Sequence, residues 1–204
     1  MGITDLGSIV KNSFVILFSD SLIFVVAVIY TAIIDVVSFF VSPSTAIQFT
    51  VFYILPISFY AVLSILLATY VEGVIILRVY KGRKARFVDI SKLVINRYPA
   101  LLATNILASI IVFLGTIAFV IPGVYLFVKL FLAPVAVLID GDNPIDALRK
   151  SWALTNKKWW DIFAIVLVMG LILGLISFIP YVSAFIASAF IITMFYVFRA
   201  AKRK

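Results

Sequence analysis

Cysteine and histidine are both absent from the 204 residues. That removes disulfides, thiol nucleophiles, imidazole bases and the usual zinc and haem ligands. Charge is also scarce: 13% of the residues are Asp, Glu, Lys or Arg, against 65% apolar residues and a mean hydropathy of +1.23. So little polar surface excludes a soluble globule. No short apolar stretch near Met1 leads into a small-residue cleavage site, so no removable signal peptide is expected. The remaining candidates for a general base are Asp, Glu, Lys and Tyr, and no two of them occur at a spacing characteristic of an active site. The chain is therefore expected to be non-enzymatic and to need no cofactor. Asp140, Asp142 and Asp146 lack the other positions of a calcium loop and read as a turn followed by a helix start, so no metal is expected either.

What is present is one long apolar run after another. A hydrocarbon layer of ~30 Å takes about 20 helical residues to cross. Cutting the runs at charges, prolines and turn residues gives six spans, near 21–42, 49–79, 98–120, 122–139, 159–179 and 181–198. The expectation is an all-α, polytopic integral membrane protein in a single transmembrane domain over 1–204, with Pro56 as a kink in the second span. The short connections Pro43 to Gln48, Ile121 to Gly123 and Pro180 to Ser183 carry no Lys or Arg, whereas Arg78 to Arg97 and Arg149 to Lys158 are rich in them. Lys11 and the tail Arg199, Lys202, Arg203 and Lys204 fall on the same side. Basic residues mark the cytoplasmic face, so a multi-pass cell-membrane protein with both termini cytoplasmic is expected. The net charge of +8 then reflects topology and attraction to anionic lipid headgroups, and nucleic acid is not an expected partner.

A polar-apolar segment precedes the first, third and fifth spans: Thr4 to Leu17, Phe87 to Arg97 and Asn143 to Asn156. Asn143 can cap the last of these, with Pro144 at the first helical position and Asp146 at the positive end of the helix. Each reads as an amphipathic interfacial helix on the cytoplasmic side. The pattern suggests three helix-plus-hairpin units, 4–80, 87–140 and 143–199. Repeats of this kind can surround a central path.

Three ionisable residues, Asp35, Glu72 and Lys129, lie within the spans, where charge is expensive and marks function by default. Asp35 and Lys129 each sit seven residues from the outer end of their spans, or ~10 Å deep. The expectation is an Asp35–Lys129 pair joining spans 1 and 4. The alternative has Lys129 reaching outward along its stem while Asp35 is protonated or bonded to backbone. Glu72 lies either at similar depth or near the cytoplasmic interface, about two helical turns from Arg78. Thr104, Asn105 and Ser109 supply polar support in span 3. Gly170 and Gly174 offer a small-residue face for close helix packing within the chain or against a second copy. Tyr53, Tyr98, Tyr181, Trp159 and Trp160 are placed as interfacial anchors.

The run from Ile121-Pro-Gly-Val-Tyr through Leu132-Ala-Pro134 to Asn143-Pro-Ile-Asp-Ala-Leu-Arg-Lys-Ser-Trp152 resembles the membrane domain fused to some glycerophosphoryl diester phosphodiesterases and its stand-alone prokaryotic relatives. That resemblance implies a six-span membrane domain handling lipid or lipid-derived material. It does not imply the phosphodiesterase activity, which belongs to a separate soluble domain with histidine and carboxylate residues. The expected function is binding or moving a small polar or amphiphilic solute through an intramembrane site of Asp35, Glu72 and Lys129. The alternative is a structural or lipid-organising protein whose charges fix helix packing.

Overall fold

A computed structural model describes residues 6–41, 51–156, 158–176 and 182–202. Every regular element among them is an α-helix. In chain order these are α1 (Leu6–Ser19), α2 (Ser21–Val41), α3 (Val51–Lys81), α4 (Phe87–Ala118), α5 (Val120–Leu130), α6 (Ala133–Asp140), α7 (Pro144–Asn156), α8 (Trp159–Ile176) and α9 (Val182–Lys202). By length and composition α2, α3, α4, α5 with α6, and α9 can each cross a membrane. The pair α7 and α8, bent by 103°, raises the number of candidate spans from 5 to 6. The chain is an all-helical protein of multi-pass character. The expected turn at Pro43 to Gln48 and most of that at Pro180 to Ser183, with Tyr181 and the Tyr53 side chain, lie outside the described residues.

The helices stop where backbone chemistry requires it. Asp20 separates α1 from α2, and its Oδ1 accepts the Leu22 N–H at 3.2 Å, placing a carboxylate on the positive end of α2. Gly82 and Gly141 follow α3 and α6 with φ of 83° and 78°, a left-handed conformation that glycine adopts without a Cβ penalty. The turn expected at Ile121 to Gly123 is instead the single extended residue Phe119, at φ −164° and ψ 152°. Pro122 sits in the first turn of α5, where its missing N–H costs nothing. Gly123 serves close approach: a Cβ there would lie 2.9 Å from Cα of Thr116 in α4.

Two further expectations change. Phe87 to Arg97 is not a separate interfacial helix, because α4 runs unbroken from Phe87 through Pro99 to Ala118. One lost backbone bond at exposed Pro99 is outweighed by the packing of Val94 and Leu101 on either side, both fully buried. The second of the three units therefore lacks the separate helix found as α1 and α7. The span expected at 122–139 is divided into α5 and α6, with Phe131 and Leu132 between them.

α3 and α4 have 31 and 32 residues, so each is ~45–50 Å long and outreaches a ~30 Å hydrocarbon layer. The buried core gathers where the basic residues do, from Ile75, Ile76, Val94, Leu132, Val137 and Phe198 among others. Toward the other end the apolar side chains are exposed, including Phe59, Phe113, Ile117, Ile121 and Leu175, as expected for surface in contact with lipid.

One ion pair ties the basic end together. Arg78 Nε lies 2.8 Å from Asp20 Oδ2, with both side chains more than nine-tenths buried. Its Nη2 reaches Asp20 Oδ1 at 3.2 Å, and its Nη1 donates to the Ala85 carbonyl at 2.6 Å. Arg78 thus joins the α1–α2 break, the end of α3 and the loop into α4. Removing one member of such a pair strands the other, at a cost of about 3–5 kcal/mol. Asp20→Asn and Arg78→Met should each lower thermal stability in detergent, and the double variant should recover part of the loss. Strictly additive losses would show that the two do not act as a pair.

Candidate functional site

Between α3, α4, α5, α6 and α9 lies a cleft of about 600 Å³, within the size range of small-molecule sites. Its walls are apolar, with Val112, Phe127, Phe131, Phe190 and Met194 prominent, and Glu72, Asn105 and Ser109 supply polar groups. Asn105 Nδ2 donates to Glu72 Oε2 at 2.7 Å. The helices that carry them are brought together by Gly73, whose added Cβ would come 2.9 Å from Val94 Cγ1. Two tyrosines clamp the same contact, Tyr98 through the Leu66 carbonyl at 2.8 Å and Tyr70 through Ser91 Oγ at 3.0 Å. Among the described residues no Lys or Arg forms an ion pair with Glu72, and Arg78 is committed to Asp20. The acceptors Glu72 Oε1 and Asn105 Oδ1 are not used by the Glu72–Asn105 bond itself.

Lys129 is elsewhere. It projects from α5 toward the α7–α8 bend, is 2% exposed, and donates to Asn156 Oδ1. Its ammonium lies 5.3 Å from the centre of the Tyr125 ring and 5.2 Å from that of Trp152, within cation–π range. This corrects the expected Asp35–Lys129 pair. Asp35 is exposed on α2, which packs on α1, α3 and α9 rather than on α5, so equal depth does not bring the two residues together. Lys129 and Glu72 line different clefts, and the three charges do not form one site.

The position of Lys129 depends on the break after α5. Pro134 is the second residue of α6, and it cannot donate to the carbonyl four residues back. Other backbone groups beside this break are met by α7: Ser151 Oγ donates to the Lys129 carbonyl at 2.7 Å and accepts the Leu132 N–H at 3.1 Å. Thr155 Oγ1 approaches the same carbonyl at 3.4 Å. Ala147, Ser151 and Thr155, spaced by four, form the buried small-residue face of α7. That spacing is visible in the sequence, and it is the signal by which Ser151 could have been found. At the far end of α6, Arg97 Nη1 donates to the carbonyls of Val137 and Leu138 at 3.1 and 2.6 Å.

The other expected residues fall as follows. Ser109 joins Asn105 in the first cleft, whereas Thr104 is buried and donates to Ala100 of its own helix at 2.8 Å. Among the described residues no atom lies within 4 Å of where a Cβ on Gly170 or Gly174 would be. Gly73, Gly115 and Gly123 are the close-approach glycines instead. Asn143 caps α7 through the Asp146 N–H at 2.9 Å. Asp140 and Asp142 both pair with Lys150, at 2.6 and 2.7 Å, and Asp140 also pairs with Lys202 at 2.6 Å. Ser151→Ala should leave a buried carbonyl and N–H unmatched, at about 1–3 kcal/mol. Faster amide exchange at 130–134 together with a lowered unfolding midpoint would register this, and unchanged exchange there would refute the assigned bridge.

Searches of curated proteins and of solved structures return no match to this chain. Residues 53–200 match the profile of UPF0259, described as an uncharacterised protein family. Nothing in that match links the chain to the membrane domain of glycerophosphoryl diester phosphodiesterases, so the resemblance drawn from Ile121 to Trp152 is set aside. The matched region includes both clefts and the α5–α6 break, and the chain belongs to the uncharacterised family UPF0259.

Proposed function

We propose that the protein is a non-enzymatic membrane protein that binds a small amphiphilic solute in the cleft closed by Glu72 and Asn105. The observation that carries this reading is a carboxyl group without a cationic partner among the described residues, held by Asn105 at 2.7 Å in an otherwise apolar cavity of about 600 Å³. A polar group kept at such a place is costly unless water, a solute or a partner meets it. The carboxyl, the Asn105 carbonyl and the Ser109 hydroxyl all accept hydrogen bonds, so the solute they suit carries a donor head and a hydrocarbon tail. In the accompanying orientation six spans cross the cell membrane, and the basic end with both termini faces the cytoplasm. There α1 and α7 lie along the headgroups.

Binding of dodecylamine, dodecanol and dodecanoate to the purified protein tests the site. Dodecylamine should bind tightest and dodecanoate weakest. Glu72→Gln keeps an oxygen for Asn105, so it should fold normally and lose about tenfold of the amine affinity, the usual worth of a charge-assisted bond. Equal binding of all three, or an unaffected Glu72→Gln variant, would favour the structural reading, in which the charge only fixes packing. Orientation has its own test. Single cysteines replacing Lys84, Phe119 and Lys202 should react with an impermeant maleimide in intact cells only at 119, and labelling at 84 or 202 would reverse the assignment.

A further inference from the structure

The second cleft points to a different ligand. It has a volume of about 550 Å³ and is lined by Tyr125, Lys129, Asn156, Lys158, Trp159 and Asp161, with Trp160 beside them. Lys129 is the decisive group. Its ammonium is almost wholly buried, its hydrogen-bond partner Asn156 is neutral, and no carboxylate among the described residues lies within ion-pair distance of it. Two aromatic faces soften the cost of burying this cation, but only one of its three donors is used by Asn156. Lys158 also lines the cleft, and its ammonium donates to the Ala200 carbonyl at 3.4 Å. Trp159 Nε1 is buried and has no hydrogen-bond acceptor among the described residues. The start of α8, at Trp159, adds the partial positive charge of a helix N-terminus. Two lysines against the single carboxylate Asp161 leave the cleft one charge positive. All of these features favour an anion.

On α8 the cleft adjoins an apolar groove between α4, α5 and α8, because Trp159 of the cleft stacks on Phe163 of the groove with ring centres 5.0 Å apart. That groove, of about 480 Å³, is lined on α5 by Gly123, Val124 and Phe127 and on α8 by Phe163, Val166 and Gly170. It runs from the Lys129 end of α5 toward its start, and Gly170 leaves its floor open because no atom of the described residues comes within 4 Å of where a Cβ would be. We propose that cleft and groove together hold one anionic phospholipid, its phosphate against Lys129 and Lys158 and an acyl chain lying between α5 and α8. The source is a lipid rather than a free anion because the polar cleft adjoins this hydrocarbon-lined groove, whose Leu167 and Leu171 are exposed and apolar. A zwitterionic head is disfavoured, since its cation would be placed beside Lys129 in a cage whose rings already face an ammonium.

Native mass spectrometry of the detergent-solubilised full chain, supplied with phosphatidylglycerol, phosphatidylcholine or inorganic phosphate, tests this directly. One phosphatidylglycerol should be retained about tenfold more tightly than phosphatidylcholine, in line with the usual worth of a charge-assisted bond. Lys158→Gln, at the partly exposed rim, and Gly170→Leu, which fills open groove, should both fold and should each weaken retention. Lys129→Met should abolish the preference for the anionic head. Equal retention of the two lipids, or variants that behave like the parent protein, would overturn the proposal. Inorganic phosphate competing as well as the lipid, with Gly170→Leu silent, would overturn it in favour of a free-anion site. Glu72→Gln should leave phosphatidylglycerol retention unchanged, because the two clefts share no charged residue, so this result is independent of amphiphile binding at Glu72.

Discussion

Every backbone polar group freed where a helix stops must find a partner when the surroundings are apolar, and this constraint shapes the whole molecule. Three breaks meet it in three ways. At Asp20 the residue that interrupts the helix also caps the next one, and its remaining charge draws in Arg78 from α3. At Leu132 a serine from α7 both donates and accepts. At the end of α6 a guanidinium from α4 takes two carbonyls. Each solution borrows a side chain from a helix distant in sequence, so satisfying the backbone locally also fixes tertiary placement. The Ser151 bridge has the widest consequence, because it holds α7 across the α5–α6 break and thereby presents Trp152 and Asn156 to Lys129.

The separation of Glu72 from Lys129 bears on purpose. If the charges served packing alone, opposite charges paired with each other would be the least costly arrangement, as Asp20 and Arg78 illustrate at the basic end. Instead, among the described residues, a carboxyl group bonded to an amide faces one cleft, and an ammonium with an amide and two rings faces another. Phe127 of α5 lines both the Glu72 cleft and the α5–α8 groove, so one short helix divides an acceptor-rich site from a cationic one. Keeping two such groups apart leaves each available to a ligand of opposite chemistry.

Much of the helical content was legible from the apolar runs, and so was the start of α7 at Asn143 with its Asp146 partner. Several boundaries were not. Proline marked no break at Pro99, where Val94 and Leu101 bury enough surface to carry the helix through, but it did mark one at Pro134, where Ser151 meets the Lys129 carbonyl and the Leu132 N–H beside the break. Whether a proline ends a helix thus depends on a partner that is remote in sequence. The charges show the same limit. Depth along a span could be counted, but which way a side chain faces depends on neighbouring helices, so Asp35 and Lys129 could be set at one level without meeting. Asn105 and Ser109 stand out in the sequence as polar groups in an apolar helix, while the meeting of Asn105 with Glu72 required the close approach at Gly73.

Stability and access are separated along the length of the bundle. Ile75, Ile76, Val94, Leu132 and Phe198 pack among themselves near the basic residues, where the Asp20–Arg78 pair and the Lys150 carboxylates also lie. The opposite half exposes Phe113, Ile117, Ile121 and Leu175. Helices held firmly at one end and surrounded by lipid at the other can change spacing at the loose end without losing the core, because lipid tails replace helix contacts at little free-energy difference. The Glu72 cleft, at Phe113 and Thr116, and the α5–α8 groove, at Gly123 and Val124, extend into that loose half. An amphiphilic occupant would then enter by displacing lipid rather than by unfolding protein, which requires the charged groups at the deep end of each cleft to be fixed in advance, as Asn105 fixes Glu72 and the Tyr125–Trp152 cage fixes Lys129.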